Sequence, residues 1–172
     1  MRKALMLALL LVSFGVASHG YDTTPLQISI WPPNLQVVTS DIDVSGLKLN
    51  LPYGGNNRIV GVDLGIASTS ENCSALQINL LNMTSQRYSG LQVGLFNLSG
   101  ESSGLQIGVI MNSTDASASG LQIGLINATD EMTGVQIGLI NYTDFMIGFQ
   151  IGVVNIIRES IVPFFPIVNF CF

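Results

Sequence analysis

The sequence predicts an all-β protein made of tandem one-strand repeats of about 14 residues, wound as a parallel β-solenoid. Three observations carry that prediction. The octet GLQIGLIN recurs with small changes from Gly90, Gly120, Gly134 and Gly148, in shortened form from Gly104, and in weaker copies from Gly46, Gly61 and Ala75. Within each copy the apolar positions alternate: Leu121, Ile123 and Leu125 share one face, and Gly120, Gln122 and Gly124 share the other. That is the period of a strand and not of a helix. After each strand come Asn, Ser, Thr, Asp and Gly, as in Asn127-Ala128-Thr129-Asp130, whose short side chains bond to turn backbone.

The elements follow in order. Arg2 and Lys3 stand before an apolar run from Ala4 to Val12, and Phe14 to Ala17 lead into small residues, so residues 1–17 read as a secretory signal peptide cleaved after Ala17 or after Gly20. The run is shorter than the ~20 residues a spanning helix needs. Residues 21–45 are an N-terminal strand and loop: Pro25 to Ile30 hold an LQI strand ahead of Trp31-Pro32-Pro33, and residues 32–45 are a connecting loop or an extra edge strand. Residues 46–157 are the repeat array, with length changes expected after each strand, where turns face solvent. Residues 158–172 are a C-terminal capping strand, introduced by Pro163 to Pro166 and ending Val168-Asn169-Phe170-Cys171-Phe172.

One repeat cannot stand alone. Burying three aliphatic side chains contributes roughly 5–9 kcal/mol, whereas fixing about fourteen backbones costs roughly 14–28 kcal/mol, so repeats must stack. The expectation takes Leu121, Ile123, Leu125 and their equivalents as the core face. In a solenoid, Gln77, Gln92, Gln106, Gln122, Gln136 and Gln150 recur at one position and form an amide ladder, and Asn82, Asn97, Asn112, Asn127, Asn141 and Asn155 form another at the bend. Lys48 and Asp63 interrupt the Gln column in the early copies. The turn half offers Tyr88, Ala118, Met132 and Met146 for the far wall. The alternative is an antiparallel meander or a small closed β-barrel in the outer membrane. The octet is nearly palindromic about Ile123, and the alternating apolar residues ending at Phe172 look like the assembly signal of bacterial outer-membrane barrels. A one-strand period favours the solenoid, and three outward apolar residues per strand fall short of the ~9–11-residue strands that cross a bilayer.

Composition limits function more than it assigns it. The chain has 172 residues, 48% hydrophobic and 10% charged, with a net charge of −5 that becomes −7 once Arg2 and Lys3 leave with the leader. Without clustered cations, nucleic-acid binding is excluded as a function class. His19, the single histidine, lies beside the cleavage region, so no His-dependent triad or His-rich metal site is available to the mature chain. Asp41 and Asp43 would share a strand face as paired carboxylates, but nothing marks a pocket around them. Asp115, Asp130 and Asp144 recur after Thr114, Thr129 and Thr143; stacked acidic turns bind Ca²⁺ in some secreted repeats, and turn capping is the commoner role. Thr84, Ser99, Thr114, Thr129 and Thr143 form a hydroxyl column of the kind used for ice or carbohydrate contact, and create N-x-S/T sequons at Asn82, Asn97, Asn112, Asn127 and Asn141, with another at Asn72. Cys73 and Cys171 fall several repeats apart in a solenoid and are expected as free, partly buried thiols. No catalytic, cofactor-binding or metal-ligating set emerges, and no cofactor is implied.

The opening PLQISIWPP, the segment GLKLNLPYG from Gly46 to Gly54, GVDLG from Gly61 to Gly65, the tandem GLQIGLIN copies and the ending PFFPIVNF together resemble a family of bacterial secreted or surface repeat proteins known from leptospires and other Gram-negative groups. The resemblance spans the mature chain. It implies a secreted or surface protein and assigns no activity. With the leader, the one-strand period and the missing catalytic residues, the expectation is a non-enzymatic exported envelope or surface protein, placed at the outer membrane, the cell surface or the periplasm, with a structural or interaction role. The expected partner is an unidentified protein or envelope component, with outer-membrane association as a further expectation. The alternative function, a pore or scaffold in the outer membrane, follows the barrel alternative.

Overall fold

The computed structural model describes residues 23–30, 35–36 and 39–172; the expected leader 1–17, His19 and Trp31-Pro32-Pro33 lie outside the described residues. The β-forming alternation of the repeats is realised as an almost unbroken extended backbone. β1 (Thr23–Ile30) is followed by the short β2 (Leu35–Gln36), and then by β3 (Asp43–Ile137), a ribbon of 95 residues that winds through seven of the eight repeat starts. β4 (Ile140–Gly152) and β5 (Val154–Ile157) continue the winding, and β6 (Ile167–Cys171) turns back.

Each coil lies parallel on the one before it. β4 stacks on β3 with Gly134 opposite Gly148, Gln136 opposite Gln150 and Asn127 opposite Asn141. β1 stacks on the first coil of β3 with Leu26 opposite Leu47 and Ile28 opposite Leu49. The arrangement is a parallel β-solenoid, and the sheet does not close. The antiparallel meander and the closed barrel are therefore set aside. Among the described residues antiparallel pairing is confined to the two ends, where β2 lies against β1 and β6 lies against β4. Residues 35–36 thus form a short edge strand, and β6 in the tail lies antiparallel on the last coil.

Repeat starts stack with little room. Gly120 and Gly134 hold φ of +121° and +134°, and a Cβ on either would run into the carbonyl oxygen of the glycine one coil below. Only glycine combines that backbone angle with so close an approach. One length change departs from expectation. Gln92 and Asn97 are five residues apart but Gln106 and Asn112 six, so the extra residue sits in the bend at Val109-Ile110-Met111 rather than in the later turn.

The largest correction concerns which face is inside. Among the described residues nine apolar side chains are buried against twenty-eight polar or charged ones. The Gly/Gln face lines the interior, and Leu121, Ile123 and Leu125 with their equivalents point outward. A coil of about fourteen residues leaves a narrow lumen. Gly-Gln-Gly fills it with one glutamine amide per coil, and stacking satisfies that amide along the axis, so unpartnered buried side-chain atoms are few and the one in the glutamine stack, Gln150 Oε1, is at its end. The apolar part of the interior is the far wall foreseen from Tyr88, Ala118, Met132 and Met146. Tyr88 clusters with Ile59, Cys73 and Ala75, and the other three with Ile157 and the half-buried Cys171. Buried Ser102, one coil above Tyr88, falls between the two clusters. Cys73 and Cys171 are free thiols at separate levels of the stack.

Candidate functional surface

The interior columns make the molecule rigid and fix what points outward. Gln92 Nε2 donates to Gln77 Oε1 at 2.8 Å, and the same 2.8 Å step runs from Gln106 to Gln92, Gln122 to Gln106, Gln136 to Gln122 and Gln150 to Gln136. The Asn stack is built the same way in the opposite sense. Asn82 Nδ2 donates to Asn97 Oδ1 at 2.8 Å, and the chain continues through Asn112, Asn127 and Asn141 to Asn155. Both ladders anticipated from the repeat spacing are present.

The Gln stack ends on a buried charged node that sequence reading recognised only as an interruption. Asp63 accepts from Gln77 Nε2 (2.9 Å), Asn50 Nδ2 (2.6 Å) and Ser68 Oγ (2.5 Å). The Lys48 ammonium donates to Ser68 Oγ (3.0 Å), Gly54 O (3.1 Å) and Thr69 O (3.4 Å), so the Ser68 hydroxyl links cation to anion. Burial pulls the Lys48 pKa down to about 8, against the opposing pull of Asp63. With three acceptors around the ammonium and three donors around the carboxylate, both charges are solvated by the protein, and the node is structural.

The candidates for chemistry resolve as follows. Asp41 lies in a turn and Asp43 opens β3, so they do not share a strand face; the hydroxyl of Thr39 lowers the Asp41 pKa. The hydroxyl column Thr84, Ser99, Thr114, Thr129 and Thr143 is buried and braces the amides, with Gln122 donating to Thr114 Oγ1 and Thr129 donating to Gln122 Oε1, both at 3.2 Å. It offers nothing to ice or sugar. The sequon asparagines Asn82, Asn97, Asn112, Asn127 and Asn141 are the buried ladder itself, while Asn72 is half-buried. Asp115 and Asp130 are exposed, and Asp144 is held by Arg158 at 2.8 Å and by the Tyr142 hydroxyl at 2.7 Å. Among the described residues no group of three or more His, Cys, Asp or Glu is placed to hold a metal ion. A shallow open groove of about 610 Å³ runs past Tyr53, Thr69, Met83, Leu98 and Asp115.

What the fold does assemble is an outward apolar wall. In each of nine coils three alternating positions face out, from Leu26, Ile28 and Ile30 in the first to Phe149, Ile151 and Val153 in the ninth, and all twenty-seven are Leu, Ile, Val or Phe. None of them is buried. β6 adds a tenth row. Its Phe170 and Val168 lie opposite Phe149 and Ile151, with Asn169 buried between them, and the rings of Phe149, Phe170 and Phe172 cluster at 5.2–6.2 Å. The aromatics of the last strand therefore extend the wall instead of plugging the core. At that end Ile161, Val162, Phe165 and Phe170 line a hollow of about 740 Å³. The opposite character marks the turn half, where Arg87 and Glu101 pair at 2.6 Å among exposed Ser, Asp and Glu.

Sequence reasoning named these side chains and gave them the wrong direction. The signal that distinguishes the faces is present in the copies from Gly90 on: there the Gly, Gln and Asn positions do not change, whereas Leu, Ile, Val and Phe interchange freely at the alternate ones. A stacked lumen demands identity, and an open wall demands only apolarity.

The fold and its surface define the class, a capped parallel β-solenoid with a polar lumen and one aliphatic wall. No family model, curated protein or solved structure matches the chain.

Proposed function

We propose that this is a non-enzymatic repeat protein, exported to the cell envelope or cell surface, that acts as a rigid scaffold through its aliphatic wall. The observation that carries this is the wall of ten outward apolar rows. With rows ~4.8 Å apart and about 15 Å wide, it covers roughly 700 Å², above the ~300–600 Å² of the largest patch on a typical monomer. The leader-like residues 1–17 support export, and the acidic, serine-rich turn half suits a solvent-facing side. Interior polar groups that would otherwise be candidates for catalysis are engaged with one another in the ladders.

The test is fractionation of cells expressing the native chain, with membranes extracted by carbonate and then by detergent. Recovery of a shortened chain in the outer membrane, periplasm or medium is the expected result. A full-length chain confined to the cytosol would overturn export. Release without detergent would identify a soluble envelope protein, and a requirement for detergent would identify one held at the outer membrane.

A further inference from the structure

Resting on the interaction role proposed above, we infer that the partner of the aliphatic wall is a second copy of this chain, joined wall to wall in a closed pair. The first ground is area. Each copy brings roughly 700 Å², close to the ~800 Å² per partner of a standard stable interface. The second is surface chemistry. None of the twenty-seven outward positions of the nine coils is charged or polar, which is the composition of the buried centre of a homodimer interface. Successive coils repeat the same three positions, so two walls present matching ridges and grooves and can meet as two sheets do, about 10 Å apart.

The ends and the remaining sides decide the geometry. β2 lies antiparallel on Ser29 and Ile30 of the first coil and β6 antiparallel on Gly148 to Gly152 of the last, so each end carries an antiparallel segment where a further parallel coil would have to stack. That disfavours growth along the axis. Beside the wall the outward column Leu81, Phe96, Met111, Ile126, Ile140 and Val154 continues the apolar surface round the bend, and beyond it the turn half carries Glu71, Arg87, Glu101, Asp115 and Asp130, which leaves one contiguous apolar face per chain. A chain with one such wall and two closed ends makes pairs, not fibres.

A lipid surface is the other possible occupant, and the charges argue against it. Among the described residues the cations are Lys48, Arg58, Arg87 and Arg158. Lys48 is buried, Arg58 and Arg87 lie beside Cys73 in the turn half, and Arg158 pairs with Asp144 in the tail. No cationic rim flanks the wall to hold anionic headgroups, and the chain is acidic overall.

Sedimentation velocity on the purified chain, without detergent and across a hundredfold concentration range, tests the pairing. The expected species has twice the chain mass. Val93→Glu or Ile107→Glu, in the central rows, should weaken pairing on the order of a hundredfold or more. Ser103→Glu, exposed on the turn half, should leave it unchanged. Circular dichroism checks that each variant is folded, and Val93→Gln replaces Val93→Glu if that chain fails to fold. A wild-type monomer overturns the inference, as do open-ended oligomers or pairing indifferent to a folded Val93 variant. A monomer that floats with phosphatidylethanolamine–phosphatidylglycerol vesicles overturns it in favour of lipid. None of these outcomes touches export, which the fractionation tests separately.

Discussion

Replacing Gln122 by Leu at the middle of the amide stack and Gln150 by Leu at its end tests whether the lumen is held by a chain of hydrogen bonds. The two residues are alike in type and burial. They differ in partners. Gln122 donates to Gln106 Oε1 and Thr114 Oγ1 and accepts from Gln136 Nε2 and Thr129 Oγ1. Its loss strands the Gln136 amide donor and takes the 2.8 Å partner from Gln106. Gln150 donates to Gln136 Oε1 and Ile156 O, while its own Oε1 is buried without a partner. Its loss removes one unsatisfied atom while creating others. At about 1–3 kcal/mol per stranded buried group, Gln122→Leu should cost about 2–6 kcal/mol, and Gln150→Leu distinctly less, about 0–3 kcal/mol. Urea unfolding followed by circular dichroism in the β region measures both. Equal losses, or a larger one at Gln150, would show that volume and not hydrogen bonding sets the cost.

Three further outcomes follow from the same interior. Lys48, with a folded pKa of about 8 against an ordinary 10.5, binds fewer protons folded than unfolded in that window, so its contribution makes stability rise with pH. Burial pushes the Cys73 thiol and the Tyr88 phenol up, which opposes that rise above about pH 9 and 10, near their usual titration ranges. In a Cys73→Ala background, unfolding free energy should therefore climb by about 2 kcal/mol between pH 7.5 and 9.5, and Lys48→Gln should abolish the climb; a flat profile before the second substitution would refute the assignment. Gly134→Ala places a Cβ against the Gly120 carbonyl at a φ of +134° and should cost at least about 1–3 kcal/mol by thermal unfolding, whereas the exposed Ser119→Ala should change little. A thiol reagent should label Cys171 in the native chain and leave Cys73 untouched until urea is added; equal rates would contradict the burial of Cys73.

Much of this fold was legible in the chain. The repeat starts at Gly46, Gly61, Ala75, Gly90, Gly104, Gly120, Gly134 and Gly148 predict the stacking register, because identical amides one period apart have one efficient arrangement. Gly61 sits over Gly46, Gly90 over Ala75, and Gly148 over Gly134. The separation of Cys73 from Cys171 followed from the same reasoning. Orientation was not legible by the usual rule. Leu121, Ile123 and Leu125 look like a core face because in most proteins the apolar side of a strand is the buried side. In so narrow a coil, Gln122 between Gly120 and Gly124 fits the lumen and is satisfied there. The Lys48–Asp63 node escaped notice because its completion by Ser68 and Asn50 comes from neighbouring coils and bends, which spacing alone does not join.

The two amide stacks run in opposite senses, glutamines handing hydrogens toward the N-terminal end and asparagines toward the C-terminal end. The amide-to-amide bonds alone give a column no direction, since a stack turned over as a whole would make the same ones. In the asparagine column backbone carbonyls such as Val93 O and Ile123 O accept from Nδ2 and fix each member. In the glutamine column two groups that can only accept, the Asp63 carboxylate at one end and the Ile156 carbonyl at the other, demand the same sense from all six glutamines. The ends thus write one bit of orientation along the lumen, and the opposed asparagine column offsets the polarity that this order would otherwise accumulate.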